Sequence, residues 1–205
     1  MNLQEKYSDL MSKIGFNTNK IKALWFDLEK AYSGKSRHYH NLKHLEEMIE
    51  LFEIYKTNLQ NPDEVLSSIF YHDYIYKASR KDNELKSAEL ALKVLADSTS
   101  VNKDLIFEAI CATQLHEHNS REDINWLIDF DLKILSKDWE DYQIYFNQIR
   151  KEYKIYPDFL YKPGRAKALK HFLENEFIFQ TDEFRSLYEE KARRNIEKEI
   201  SILEK

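Results

Sequence analysis

The stretch NPDEVLSSIFYHDYIYKASRKDN, residues 61–83, opens as a helix and carries a titratable pair into it. Asn61 is a capping side chain, and Pro62 suits the first helical position, where its missing N–H would have no partner anyway. Val65, Leu66, Ile69 and Phe70 follow at helical spacing, which predicts a helix continuing through Tyr76 until the polar run SRKDN (79–83) breaks it. On such a helix Ile69 lies three residues before His72 and four before Asp73, and Tyr76 lies four after His72. Both titratable side chains then share the apolar face. An imidazole and a carboxylate are costly to bury unless something pairs with them, so other parts of the chain have to supply a partner.

Outward from this stretch the same period recurs. Upstream, Ile21, Leu24, Trp25, Leu28 and Ala31 predict a helix over 18–32, with Thr18 or Asn19 as its cap. SGKSRHYH (33–40) reads as a loop, and a helix runs from about Asn41 to Leu59. Downstream, Leu85, Ala88, Leu92 and Leu95 mark a helix over 83–97. Asn102 opens another, carrying Leu105, Ile106, Ala109, Ile110 and Thr113, and EHNSRED (117–123) is a loop. Ile124, Leu127, Ile128, Leu132 and Leu135 set the core side of segment 124–136. Trp139, Tyr142, Phe146, Ile149 and Tyr153 form an apolar stripe, read as core packing. The segment 154–164, with Pro157, Pro163 and Gly164, reads as irregular, and helices close the chain near 165–175 and 182–204. No strand alternation and no linker is visible, so the expectation is an all-α fold in one domain over 1–205.

Composition agrees. Three glycines and three prolines in 205 residues supply few of the turns a many-stranded fold needs. The net charge of -5, with no basic stripe, argues against a nucleic-acid polymer as partner. The single Cys111 rules out an internal disulfide, suits a reducing cytosol, and reads as a small apolar core residue. MNLQEKYSDLMSKIGF (1–16) has no continuous apolar run, and no stretch approaches the ~18–20 apolar residues of a membrane span. The expected location is the cytoplasm, with no membrane partner. Phe184, Leu187, Tyr188, Ala192, Ile196, Ile200 and Leu203 line the last helix, which can pack internally or pair with a second copy as a homodimer.

Partners for His72 and Asp73 are found on two other helices. His44 lies four residues before Met48 and eight before Phe52, so it shares their inward face. His40 precedes it by four and can also be taken as the first ligand; His44 is preferred because an apolar stripe follows it directly. Asp131 stands among Ile124, Leu127, Ile128 and Leu135, whereas Asp129 is rotated about 200° away, so periodicity selects Asp131. Taken singly, each residue is more often a satisfied core histidine or a solvated aspartate. As a set, His44, His72, Asp73 and Asp131 can offset one another's burial by sharing one divalent cation, with Mn, Mg, Fe, Co, Ni and Zn all open.

These residues resemble the pattern of the HD-domain superfamily of metal-dependent phosphohydrolases. That pattern is an early His on a helix (His44, in YHNLKHLEEM), a His-Asp doublet one helix later (His72-Asp73, in FYHDYIY), and a distal Asp (Asp131, in LIDFDLKIL). With RHYHNLKHL, DNELKSAE, ATQLH and EEKARRNIEKE added, the chain is similar from about 37 to 199 to a bacterial subgroup of these phosphohydrolases. The resemblance implies a helical bundle with a metal-site core at about 37–136 and C-terminal helices 138–204 packed on it. It also implies hydrolysis of a small phosphorylated compound, nucleotides among the candidates, by a metal-activated water.

Further roles follow on that reading. Asp73 would hold the ion and orient the water. His116, at +7 from Ala109 and +3 from Thr113, is a candidate acid or phosphate contact, and Glu84 a candidate general base. His118 reads as solvated. Arg80, and with it His40, are the expected substrate contacts, although Lys77, Arg80 and Lys81 are also what a helix end favours. Arg165 starts a late helix after Gly164, and Arg193 and Asn195 read as structural salt-bridge residues. Two alternatives remain: a non-catalytic module binding a nucleotide or partner, with the ion as a clamp, and a di-iron oxygenase of the same fold using His40 and His116.

Overall fold

The computed structural model describes residues 2–205. Among the described residues there are ten α-helices and no strand; the all-α class is as composition and periodicity predict, while the first helix lies where none was read from the sequence. They are α1 (Leu3–Lys13), α2 (Thr18–Tyr32), α3 (Leu42–Tyr55), α4 (Pro62–Tyr71), α5 (Asn83–Val94), α6 (Lys103–Ala112), α7 (Glu122–Leu132), α8 (Trp139–Glu152), α9 (Asp158–Glu174) and α10 (Asp182–Leu203). Short 3₁₀ turns follow α3 (Lys56–Asn58) and α7 (Lys133–Ser136). Among the described residues no helix is long and apolar enough to cross a membrane. Backbone packing groups the chain into two compact units, Met1–Leu127 and Ile128–Lys205, and the division falls inside α7.

In the first unit α4 is the central element, packed against α1, α3, α5 and α6. Val65, Leu66, Ile69, Phe70 and Tyr71 are all buried, and so are Ser67 and Ser68. The two serine hydroxyls satisfy themselves by donating to the carbonyls of Asp63 (2.7 Å) and Glu64 (2.8 Å) one turn back. Tyr7 of α1 meets the edge of Phe70 and shares a 2.6 Å hydroxyl contact with Tyr71. The start of α4 is held from outside. The Asp123 carboxylate accepts from the backbone N–H groups of Gln60 and Asn61 and from the Asn61 amide, each at 2.8 Å. Asn61 therefore marks the helix start, but its side chain serves Asp123 and not the cap.

In the second unit α10 packs on α9 and on the 3₁₀ turn after α7. It buries Phe184, Ala192, Ile196, Ile200 and Leu203, while Leu187 is exposed. Glu199 is fully buried on the same face. Its carboxylate receives Arg165 Nε at 2.8 Å and the Tyr142 hydroxyl at 2.5 Å. Asn195 donates to the Leu135 and Lys137 carbonyls. Arg193 donates to Leu173, Asn175 and Glu176. Arg165, Arg193 and Asn195 thus hold the second unit together.

Several boundaries differ from expectation. α2 covers the predicted residues, but its cap is Asn17, which accepts from Lys20 N–H at 3.0 Å. α3 stops at Tyr55 and tightens into a 3₁₀ turn. α4 ends at Tyr71, not beyond Tyr76, because the backbone groups that would extend it are taken. Arg37 occupies the Asp73 carbonyl (2.8 Å), and the Asn83 side chain accepts from the Lys77 N–H (3.1 Å) that a continued helix would aim there. α9 begins at Asp158 and runs straight through Pro163 and Gly164, where an irregular segment was expected. The carbonyl that loses its helical partner to Pro163 belongs to Phe159, which is 75% exposed. Cys111 is half-buried and not a core residue.

Candidate metal centre

The first imidazole is positioned by a helix start. The Asn41 side chain caps α3 by accepting from Lys43 N–H (2.9 Å) and donates to the His38 carbonyl (2.9 Å). His44 sits on the first turn of α3, 3% exposed, with its ring against Tyr39 at 4.8 Å. The second imidazole is positioned by a helix end. His72 is the C-cap of α4, 1% exposed, and its Nδ1 lies 2.9 Å from the Ile69 carbonyl. The two Nε2 atoms are 3.3 Å apart.

Ligand atoms of His44, His72 and Asp131 all lie within 4.8 Å of one another. Asp131 belongs to α7 and is half-buried. Asp73, buried just past α4, brings Oδ2 to 3.1 Å from His72 Nε2.

The chemistry of this donor set fits a cation. A carbonyl can only accept, so the contact to Ile69 requires the proton of His72 on Nδ1. In the neutral ring this leaves a lone pair on Nε2, aimed at a second imidazole nitrogen and towards a carboxylate oxygen. That lone pair takes a positive partner, which either an N–H of His44 or a shared cation supplies. Imidazole with carboxylate is a donor set for Mn, Fe, Co, Ni or Zn.

The neighbouring carboxylate has a different task. Asp129 is fully buried, and its oxygens accept from the Gln180 N–H (2.6 Å), the Thr181 N–H (2.8 Å) and the Thr181 hydroxyl (2.6 Å). Burial pushes its carboxyl up to about 7, while these donors pull it back down. α7 is buried on every side from Asp123 to Phe130 and Asp131, just beyond, is half-buried, so helical period alone does not select Asp131 over Asp129. What separates them is that Asp129 is committed to the backbone before α10.

The other predicted residues stand as follows. His40 is half-buried and stacks on Tyr76 at 4.2 Å, its ring 6.1 Å from that of His44. Arg80 is exposed and forms a two-pronged pair with Asp82 (2.8 and 2.9 Å), which also takes Asp82 away from capping α5. Glu84 lies in the first turn of α5; with burial first, its charge helps raise the Cys111 thiol. His116 lies four residues beyond the end of α6 with a positive φ of 55°, so the face periodicity of α6 does not extend to it. Arg37, which no periodicity marks because it lies in a loop, is the residue that sequence reasoning passed over.

No protein-family model matches the chain, and no curated protein or solved structure matches it either.

Proposed function

We propose that the chain is a metal-dependent phosphohydrolase of the HD-domain type acting on a small phosphorylated compound, with nucleotides among the candidates. The observation that carries this reading is the convergence of His44, His72 and Asp131 within 4.8 Å from three separate helices. The resemblance of the ordered motifs supports it. Asp73 would be the fourth ligand. A bound divalent cation would lower the pKa of a coordinated water and polarise a phosphoryl oxygen.

The chain's own groups supply the rest. Ile69 holds the His72 ring by its Nδ1, so the Nε2 lone pair keeps its direction. Asp73, beside that nitrogen, orients water and accepts a proton at its carboxylate. Exposed Arg80 pairs with half-buried Asp82 at the surface, and such pairs contribute little. A substrate phosphate can therefore displace Asp82 and take the guanidinium in its place.

The test combines elemental analysis of the purified protein with hydrolysis assays on nucleotides and phosphate esters, each supplemented with Mn, Mg, Co, Ni or Zn. Wild type is expected to hydrolyse at least one compound, and His72→Ala to fall to background. Activity that survives His72→Ala would sink the site. Stoichiometric metal without hydrolysis of any compound would favour the binding module, and two bound irons with an oxidised-iron spectrum the oxygenase.

A further inference from the structure

The loop that leads to the first imidazole and the turn that follows the second are joined by one side chain. Arg37 Nη1 donates to the His40 carbonyl at 2.9 Å and to the Asp73 carbonyl at 2.8 Å, and Nη2 donates to the Tyr74 carbonyl at 2.8 Å. Its guanidinium lies over the Tyr32 ring at 4.8 Å and near the Tyr76 ring at 5.5 Å. A second tie runs beside it, the stack of His40 on Tyr76 at 4.2 Å. The loop therefore has two fastenings to the turn, and Arg37 makes the three hydrogen bonds.

The position of those bonds matters more than their number. His40 lies one turn ahead of His44, and Asp73 follows His72 directly. A shift of the loop against the turn would change the 3.3 Å separation of the two Nε2 atoms. It would also move the Asp73 carboxylate, whose own backbone carbonyl is one of the three acceptors. Nη1 takes one carbonyl on each segment and Nη2 adds a third in the same plane; an ammonium offers one nitrogen and cannot reproduce that two-nitrogen geometry.

We propose that Arg37 is the positioning residue of the metal centre: by clamping the His40, Asp73 and Tyr74 carbonyls it sets the register between the loop entering α3 and the His72–Asp73 turn, and so the geometry offered to the cation. This inference rests on the reading of His44, His72 and Asp131 as metal ligands. It touches neither cation nor substrate and acts through the backbone.

The experiment uses Co²⁺ as probe, with full-length wild type, Arg37→Lys, Arg37→Gln and His72→Ala. Calorimetry measures affinity, visible absorption at saturating Co²⁺ reports coordination geometry, and thermal melting in chelator reports the fold without metal. Both Arg37 variants are expected to bind Co²⁺ at least about tenfold more weakly, the cost usual for losing an outer-shell partner. Their absorption bands should differ from wild type even at saturation. Lower affinity with bands identical to wild type would mean that Arg37 only stabilises the fold, and would overturn the proposal, as would wild-type affinity in either variant. Should Arg37→Lys fail to fold, Arg37→Gln, which keeps one amide donor, is read by the same criteria. If wild type and His72→Ala alike bind no Co²⁺, the metal centre itself falls, and that result is distinct from a failure of Arg37 alone.

Discussion

Asp129 and Asp131 lie two positions apart on one helix, and the reading proposed above gives them different tasks. Asp129 ends three donors that water cannot reach. Removing its carboxylate leaves them unsatisfied, and each such group costs about 1–3 kcal/mol. Asp129→Ala is therefore expected to lower unfolding stability in urea by about 2–4 kcal/mol, at the upper end for point mutants. Asp131→Ala should differ in kind: binding of added Mn²⁺ is expected to be lost in calorimetry. If Asp129→Ala loses the metal and Asp131→Ala keeps it, the two roles have been exchanged. The sequence shows two acidic residues on a helix. It does not show that the partners of Asp129 lie 51 and 52 residues further along.

At the scale of helices, α9 is the element whose sequence and structure disagree most. Proline and glycine usually end helices, yet Pro163 and Gly164 sit inside this one. A Cβ placed on Gly164 would meet no atom within 4 Å. Gly164→Ala is therefore expected to raise stability by about 0.5–1 kcal/mol, through lower chain entropy in the unfolded state and better helix propensity. A urea midpoint that falls would show that the backbone there is not helical. Packing between α9 and α10 explains why the helix persists, since Arg165 follows Gly164 directly and meets buried Glu199. Glu199→Ala would leave that guanidinium without its carboxylate in a mostly buried site, a loss of about 3–5 kcal/mol. Glu199→Gln, which keeps a hydrogen-bond acceptor, should cost clearly less. Equal losses would mean that the charge of Glu199, and not its hydrogen-bond acceptor, carries the whole effect.

For the whole molecule, the proposed cation couples folding to metal. A cation that binds only the folded chain stabilises it by about 2.7 kcal/mol at a hundred times its dissociation constant. Melting temperature is thus expected to rise with Mn²⁺ or Co²⁺ in wild type, to return to its starting value in chelator, and to stay flat in His44→Ala and His72→Ala. An equal rise in those variants would place the cation elsewhere. The linkage arises because His44 and His72 are buried with their nitrogens 3.3 Å apart, an arrangement the unfolded chain does not offer.

The sequence by itself determined the helical class, most helix positions, and the residues able to ligate a metal. These depend on local physics: the 3.6-residue period, capping side chains such as Asn41, and the scarcity of glycine and proline. Only the tertiary structure decided where α4 stops, that α9 survives its proline, that Asp129 serves the backbone before α10, and that Arg37 joins two segments. Each of these is settled by hydrogen bonds between residues far apart in the chain. Local propensity is weak beside the cost of leaving a buried polar group without a partner, so where the two compete the distant partner prevails.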